Sequence, residues 1–284
     1  MLIAVGGEKG SPGATTTAVA LAAGWPNPAV VVEADPGGGD LALRLRLPSG
    51  EALPPTPTVL TLAAAARAHL EDTQLVVRHA SGLSDRVGVV PGHLLADQSA
   101  GMAGAWEALA AVLSCSELDV IVDVGRLDSG SPAMPVAAAA DAVVVVGRPT
   151  TAGGLRLRER IKTLGPALAA RRGRPAMVWA VVVTPARHAE AYTADLKHML
   201  TSAGVEPVSV GHVVFDATAA GRIDAGENPT GRLSRTPLMR SARELASRLS
   251  SLDARHVARG SARPRNGYDG ANSSNHRLNP EAAM

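Results

Sequence analysis

Val5-Gly6-Gly7-Glu8-Lys9-Gly10-Ser11-Pro12-Gly13-Ala14-Thr15-Thr16-Thr17 is a glycine-rich stretch set between two apolar segments. Leu2 to Val5 reads as a short buried strand, and Ala18 to Ala23 as part of a helix of small residues. A loop in that position can turn its backbone N–H groups inward around an anion. The helix N-terminus adds a partial positive charge. The same loop is also what a tight strand-to-helix connection needs, so the rest of the chain has to separate the two readings.

Working outward, apolar strands recur with polar residues at their ends. Ala29 to Glu33 leads into E-A-D-P-G-G-G-D-L, residues 33–41. Arg86 to Val90 ends at Pro91-Gly92, and L-D-V-I-V-D-V-G, residues 118–125, is an apolar run ending in Asp123. Further strands are expected over Ala138 to Gly147, Ala176 to Val183 and Val208 to Val214, and F-D-A-T-A-A-G-R-I-D-A-G, residues 215–226, follows the last. Helical spacing lies between them, at Leu41 to Leu47, Thr61 to His69, Met102 to Leu113, Leu155 to Leu164, Ala189 to Ser202 and Pro237 to Leu252. Strands alternating with helices predict an α/β fold: a doubly wound, mostly parallel sheet with helices on both faces and ligand loops at the strand C-terminal ends.

The loop and the segments after it, taken in order, resemble the ParA/MinD family of deviant Walker A P-loop ATPases. The family pattern is K-G-G-x-G-K-T-T. Lys9, Gly10, Gly13, Thr15 and Thr16 match it, Ser11 replaces the second glycine, and Ala14 stands where the family has the lysine that contacts the β- and γ-phosphates. The resemblance implies a P-loop NTPase fold over residues 1–253. It also implies an ATP-binding site using Lys9, Gly10, Ser11, Gly13, Ala14, Thr15 and Thr16, and a Mg2+ ion held by Thr15 and, through water, by Asp123. Asp35 matches the aspartate near the γ-phosphate, and Lys9 the lysine that reaches a nucleotide across a dimer interface; these two are the implied catalytic residues. Thr184, Asp216 and Ala217 match positions beside the base. Whether the nucleotide is ATP or GTP stays open.

Ala14 divides the functional reading. A P-loop lysine is a point charge placed on transferring phosphate, and losing one such donor costs about 2.7–4 kcal/mol, or roughly 10²–10³ in rate. Binding survives that loss more readily than hydrolysis. The resemblance therefore implies a nucleotide-dependent homodimer acting in spatial organisation or regulation of an unidentified protein cargo, hydrolysing slowly or not at all. The alternative is a pseudo-ATPase scaffold that binds protein partners without nucleotide.

Composition narrows the remaining classes. In 284 residues only 2% are aromatic, so the core is built from Ala, Val and Leu. Of 28 basic residues only three are lysine, at positions 9, 162 and 197, so one of the three falls in the glycine loop. The last thirty residues hold five arginines against Asp269 and Glu281, which makes the sequence pI of about 9.0 largely a property of that tail. Residues 254–284, rich in Arg, Gly, Ser and Asn, are expected to be disordered. A single cysteine, Cys115, allows no internal disulfide and no cysteine-rich metal cluster, and the eight histidines are scattered, with His93 expected at the surface. Clusters at Arg156, Arg158, Arg160 and Lys162 and at Arg171, Arg172 and Arg174 leave non-specific DNA contacts open. No signal peptide is visible, the apolar runs are too short to span a membrane, and the tail lacks the apolar face of a membrane-targeting helix, so a cytoplasmic protein is expected.

Overall fold

Period-two alternation in the apolar strands builds a sheet that is buried on both faces. The computed structural model describes residues 1–8, 13–205 and 208–257. Eight strands, β1 (Leu2–Gly7), β2 (Ala29–Glu33), β3 (Ser81–Gly82), β4 (Val87–Val90), β5 (Asp119–Arg126), β6 (Ala142–Gly147), β7 (Val178–Thr184) and β8 (Val208–Val214), form one sheet in the order β3-β4-β2-β5-β1-β6-β7-β8. All neighbours are parallel except β3, which runs antiparallel to β4 at the edge.

Leu2, Ala4, Val30, Val32, Val120, Val122, Val143 and Val145 enter one core layer; Ile3, Val5, Val31, Ile121, Val144 and Val146 enter the other. The first layer is covered by α3 (Val59–Ala66), α4 (Leu75–Arg78), α5 (Trp106–Cys115), α6 (Met134–Ala139), α7 (Thr151–Arg172) and α8 (Ala189–Ser202). The second is covered by α1 (Ala14–Gly24), α2 (Leu41–Arg44), α9 (Ala217–Asp224) and α10 (Pro237–Val257). Small residues matter in this second layer. Ala18, Ala20 and Ala22 let α1 lie close to α10, and a Cβ on Gly24 would come within 3.0 Å of the Arg243 backbone.

The expected doubly wound sheet is thus present, with local differences. The run Ala138 to Gly147 is divided: α6 occupies Met134–Ala139, with Pro135 in its first turn, and β6 begins only at Ala142. α7 is 22 residues long, well beyond Leu155 to Leu164, and stops at Gly173 in the left-handed region, φ 67°. α10 continues to Val257; residues 258–284, most of the expected tail, lie outside the described residues.

Candidate nucleotide site

The chain reverses its direction of winding at β1. From there it proceeds to β2 and β4 on one side, returns to β5, and continues to β6, β7 and β8 on the other. In open parallel sheets the loops that diverge at such a point leave a crevice at the strand C-terminal ends. Gly13, Asp35, Asp123, Thr184 and Asp216 all lie at that end of the sheet.

Helix α1 begins immediately after Gly13, whose φ of 86° places it in the left-handed region that glycine tolerates. Its first turn carries no acidic residue, and no described side chain caps it. Thr15 and Thr16 are half-buried there, whereas Ala14 is wholly buried and packed into the core beneath the helix. Lys9, Gly10 and Ser11 lie outside the described residues.

Asp123 is fully buried. Its Oδ1 accepts from the Gly125 N–H at 3.0 Å, and its Oδ2 has no hydrogen-bond partner within standard geometry among the described residues. Burial pushes the carboxyl up to about 6; the Thr15 side chain and the Gly125 amide oppose this, Asp35 adds to it, and the Arg44 charge counters it. A buried oxygen without a partner is uncommon and calls for a cation or donor that folding alone does not supply.

Asp35 reaches the same place because of an irregularity in the sheet. Between Val5↔Asp123 and Gly7↔Arg126 the register of β1 against β5 shifts, and Gly125 sits in the shifted segment with φ 60°. The space a Cβ would fill at Gly125 is taken by the Asp35 carboxyl, whose Cγ would be 1.9 Å away. Asp35 Oδ1 also accepts from the Gly37 N–H at 2.7 Å. Burial raises its pKa, while the Gly37 amide and the nearby His93 lower it.

Glu33 reads in the sequence only as the last residue of an apolar strand, yet it organises this side of the site. It is buried and faces Asp123 across the β2–β5 ladder. Its Oε1 accepts from the N–H groups of Asp40 (2.9 Å) and Leu41 (3.2 Å), and its Oε2 from that of Gly92 (2.8 Å). It therefore ties the loop after β2 to the loop after β4. Gly39 and Gly92 are glycines because a Cβ would fall 2.0 Å and 2.8 Å from Glu33 atoms. Burial is the main reason its pKa is pushed up to about 7; the Gly92, Asp40 and Leu41 amides oppose the shift and repulsion from Asp123 adds to it. Of the three glycines after β2 only Gly39 faces Glu33; Gly38 has φ 94° and packs against the Leu94 carbonyl, and Gly37 lies against Asp35. His93, expected at the surface, is also buried there, because the β2 loop folds over it and Gly39 N–H donates to its carbonyl at 2.7 Å.

On the other side of β1 lies a cavity of about 340 Å3 lined by Gly13, Thr16, Arg148, Val214, Phe215 and Asp216 among others. Asp216 caps α9, accepting from Ala219 N–H at 2.9 Å, and borders the cavity. Ala217 is exposed and is not part of the wall. Thr184 is wholly buried at the end of β7, its Oγ1 without a hydrogen-bond partner among the described residues, between the wall residues Val183 and Pro185. Arg126, the last residue of β5, is exposed and lies 3.7 Å from Asp128. Arg156 and Arg160 share a face of α7: the first pairs with the buried Glu8 carboxylate at 3.0 Å and the second reaches Asp128 at 3.5 Å. Both are thus tied to the rim of the site.

The residues present fit a magnesium nucleotide in one half and depart from it in another. Buried Asp123 beside Thr15, an uncapped helix N-terminus and an adjoining cavity suit the metal, the phosphates and the base. Ala14 brings no charge. Among the described residues, no helix is long and apolar enough to cross a membrane, and no group of three or more His, Cys, Asp or Glu side chains is placed to hold a metal.

No protein-family model and no curated protein matches the sequence. Solved structures do match it. The ParA family ATPase from Chlorobium tepidum TLS superposes over 87% of this chain and 97% of its own, with TM-score 0.66 and 14% identity. The cell division ATPase MinD of Pyrococcus furiosus covers 88% and 98%, with TM-score 0.64 and 16% identity. The septum site-determining protein MinD complexed with Mg-ADP, from Pyrococcus horikoshii OT3, covers 89% and 96%, with TM-score 0.62 and 15% identity. With 87–89% of this chain and 96–98% of each of these structures superposed, the chain has the ParA/MinD-like P-loop fold.

Proposed function

We propose that the protein is a ParA/MinD-like nucleotide-binding switch that dimerises with ATP and Mg2+ and hydrolyses weakly or not at all, acting in spatial organisation or regulation. The observation that carries this reading is the buried Oδ2 of Asp123, beside Thr15 and without a hydrogen-bond partner among the described residues. A scaffold folded for packing alone gains nothing from a buried carboxylate at its centre with one oxygen left unpaired among the described residues. When bound, the metal supplies positive charge to the phosphates. Thr15 and Asp123 are the residues that would hold it, Gly13 and Thr16 would face the phosphates, and Asp216 and Thr184 would lie on the base side, with Lys9, Gly10 and Ser11 completing the loop. Exposed Leu94 and Leu95, beside the Gly37–Gly39 loop, give this end of the sheet an apolar surface suited to a second copy. The complete burial of Ala14 favours the second reading, a scaffold that uses no nucleotide.

The two are separated by titrating a slowly hydrolysed ATP analogue with Mg2+ into the protein and into Lys9→Ala, with light scattering for mass. Saturable binding with doubling of mass, both lost in Lys9→Ala, is expected; no binding to either protein would favour the scaffold.

Asp123 supplies an independent check. Its carboxyl is raised by burial from 3.8 to about 6, so above pH 6 the folded state holds a charge it disfavours. Asp123→Asn is therefore expected to stabilise the ligand-free protein at pH 7.5 by on the order of 1–3 kcal/mol while abolishing the Mg2+ dependence of analogue binding. In the parent protein, Mg2+-dependent binding should weaken as pH falls below about 6, where protons compete for the same oxygens. A destabilised Asp123→Asn that kept its metal dependence would count against this role.

A further inference from the structure

The P-loop helix of this protein carries no lysine of its own at position 14, but a second element delivers a cation to it. Arg44 lies at the end of α2, directly after the loop that carries Asp35. Its side chain is only 15% exposed. One terminal nitrogen, Nη2, donates to the hydroxyl of Thr16 in the first turn of α1 at 3.2 Å. The guanidinium is also held from outside. Nε donates to Asp224 at the end of α9 at 2.8 Å, Nη2 lies 2.5 Å from the same oxygen, and Nη1 donates to Asp40 at 3.1 Å. Those two carboxylates are each more than half exposed, so solvent screens their charge, whereas Nη2 also reaches inward to a residue that lines the 340 Å3 cavity.

The positive charge of Arg44 also favours the ionised form of Asp123, as the smallest of the influences on that carboxyl. Of the other arginines near the loop, Arg156 and Arg160 reach Glu8 and Asp128 rather than the first turn of α1, and Arg148 is exposed at the cavity mouth. The shape of the arginine fork also fits this role, because a planar guanidinium can stay anchored to two carboxylates and still present an N–H edge to a phosphate oxygen.

We propose that Arg44 supplies from α2 the phosphate-side positive charge that Ala14 does not supply from α1. The assignment rests on the nucleotide-binding reading above and adds a specific ligand group to it. It also gives the loop bearing Asp35 a direct link to bound nucleotide, since Arg44 joins that loop to the P-loop helix and to the base-side helix α9.

The test compares two ligands that share a base and differ in phosphate. The full-length protein, Arg44→Ala and Arg44→Gln are titrated with the slowly hydrolysed ATP analogue plus Mg2+ by calorimetry, and with adenosine by ligand-observed NMR. Each variant is checked for a cooperative thermal transition. Loss of one charged hydrogen-bonding partner corresponds to roughly 10- to 100-fold in affinity. Arg44→Ala is expected to weaken the ATP analogue by that factor and to leave adenosine binding unchanged. Arg44→Gln keeps an amide donor for Thr16 but no charge, should show the same selective loss, and serves alone if Arg44→Ala does not fold. Equal weakening of both ligands would mean that Arg44 only shapes the pocket, and unchanged analogue affinity would mean that it does not reach phosphate. Either result overturns the assignment while leaving the nucleotide reading standing. If the parent protein binds neither ligand, the nucleotide reading fails and the assignment falls with it.

Discussion

Gly125→Ala is expected to lower the melting temperature by about 6–12 °C, from a loss of roughly 3 kcal/mol at 2–4 °C per kcal/mol for a domain of this size. Two effects combine. An alanine at φ 60° costs about 1–2 kcal/mol of backbone strain, and its Cβ would occupy the position 1.9 Å from Asp35 Cγ. The second effect is specific and can be isolated. Asp35→Ala removes the clashing group, so Gly125→Ala/Asp35→Ala should be more stable than Gly125→Ala alone, even though two residues have changed. A double variant no more stable than the single one would show that Asp35 does not occupy that space. The structural cause is the register shift between β1 and β5, which gives the carboxylate on the β2 loop its seat against the end of β5.

Glu33→Ala should be the other severely damaging change. It removes the acceptor for two buried amides, those of Leu41 and Gly92, and for the amide of Asp40. Leaving two buried donors unpaired costs roughly 2–6 kcal/mol. The pH dependence tests the same residue in the opposite direction. Its folded pKa of about 7 lies above the ordinary 4.5, so the folded state binds more protons between those values than the unfolded state does. The contribution of Glu33 is greatest below pH 4.5 and declines as pH rises to 7, by on the order of 3 kcal/mol in full. The urea midpoint of the parent protein should therefore fall between about pH 5 and 7.5, and the fall should be shallower in Glu33→Gln. An equal slope in both proteins would remove Glu33 as its source.

Glu33 and Asp35 also show where sequence reading stops. Both stand at the end of an apolar strand, and the family resemblance picks out Asp35 as a site residue. Their division of labour is not visible there, because it depends on which strand lies beside β2. Only β5, returning between β2 and β1, brings Asp123 opposite Glu33 and Gly125 beneath Asp35. His93 is a parallel case: a histidine in a Pro-Gly turn reads as exposed until another loop folds over it.

The sequence by itself determined the alternating strands and helices, the two-sided burial of the sheet and the candidate residues at strand ends, because those follow from local period and residue type. It also exposed the missing lysine at position 14. Tertiary structure alone decided that Asp123 is buried opposite Glu33, that Glu33 clamps two loops, and that Arg44 reaches Thr16. Each of those facts joins residues far apart in the chain, and the strand order sets such distances without any trace in local spacing.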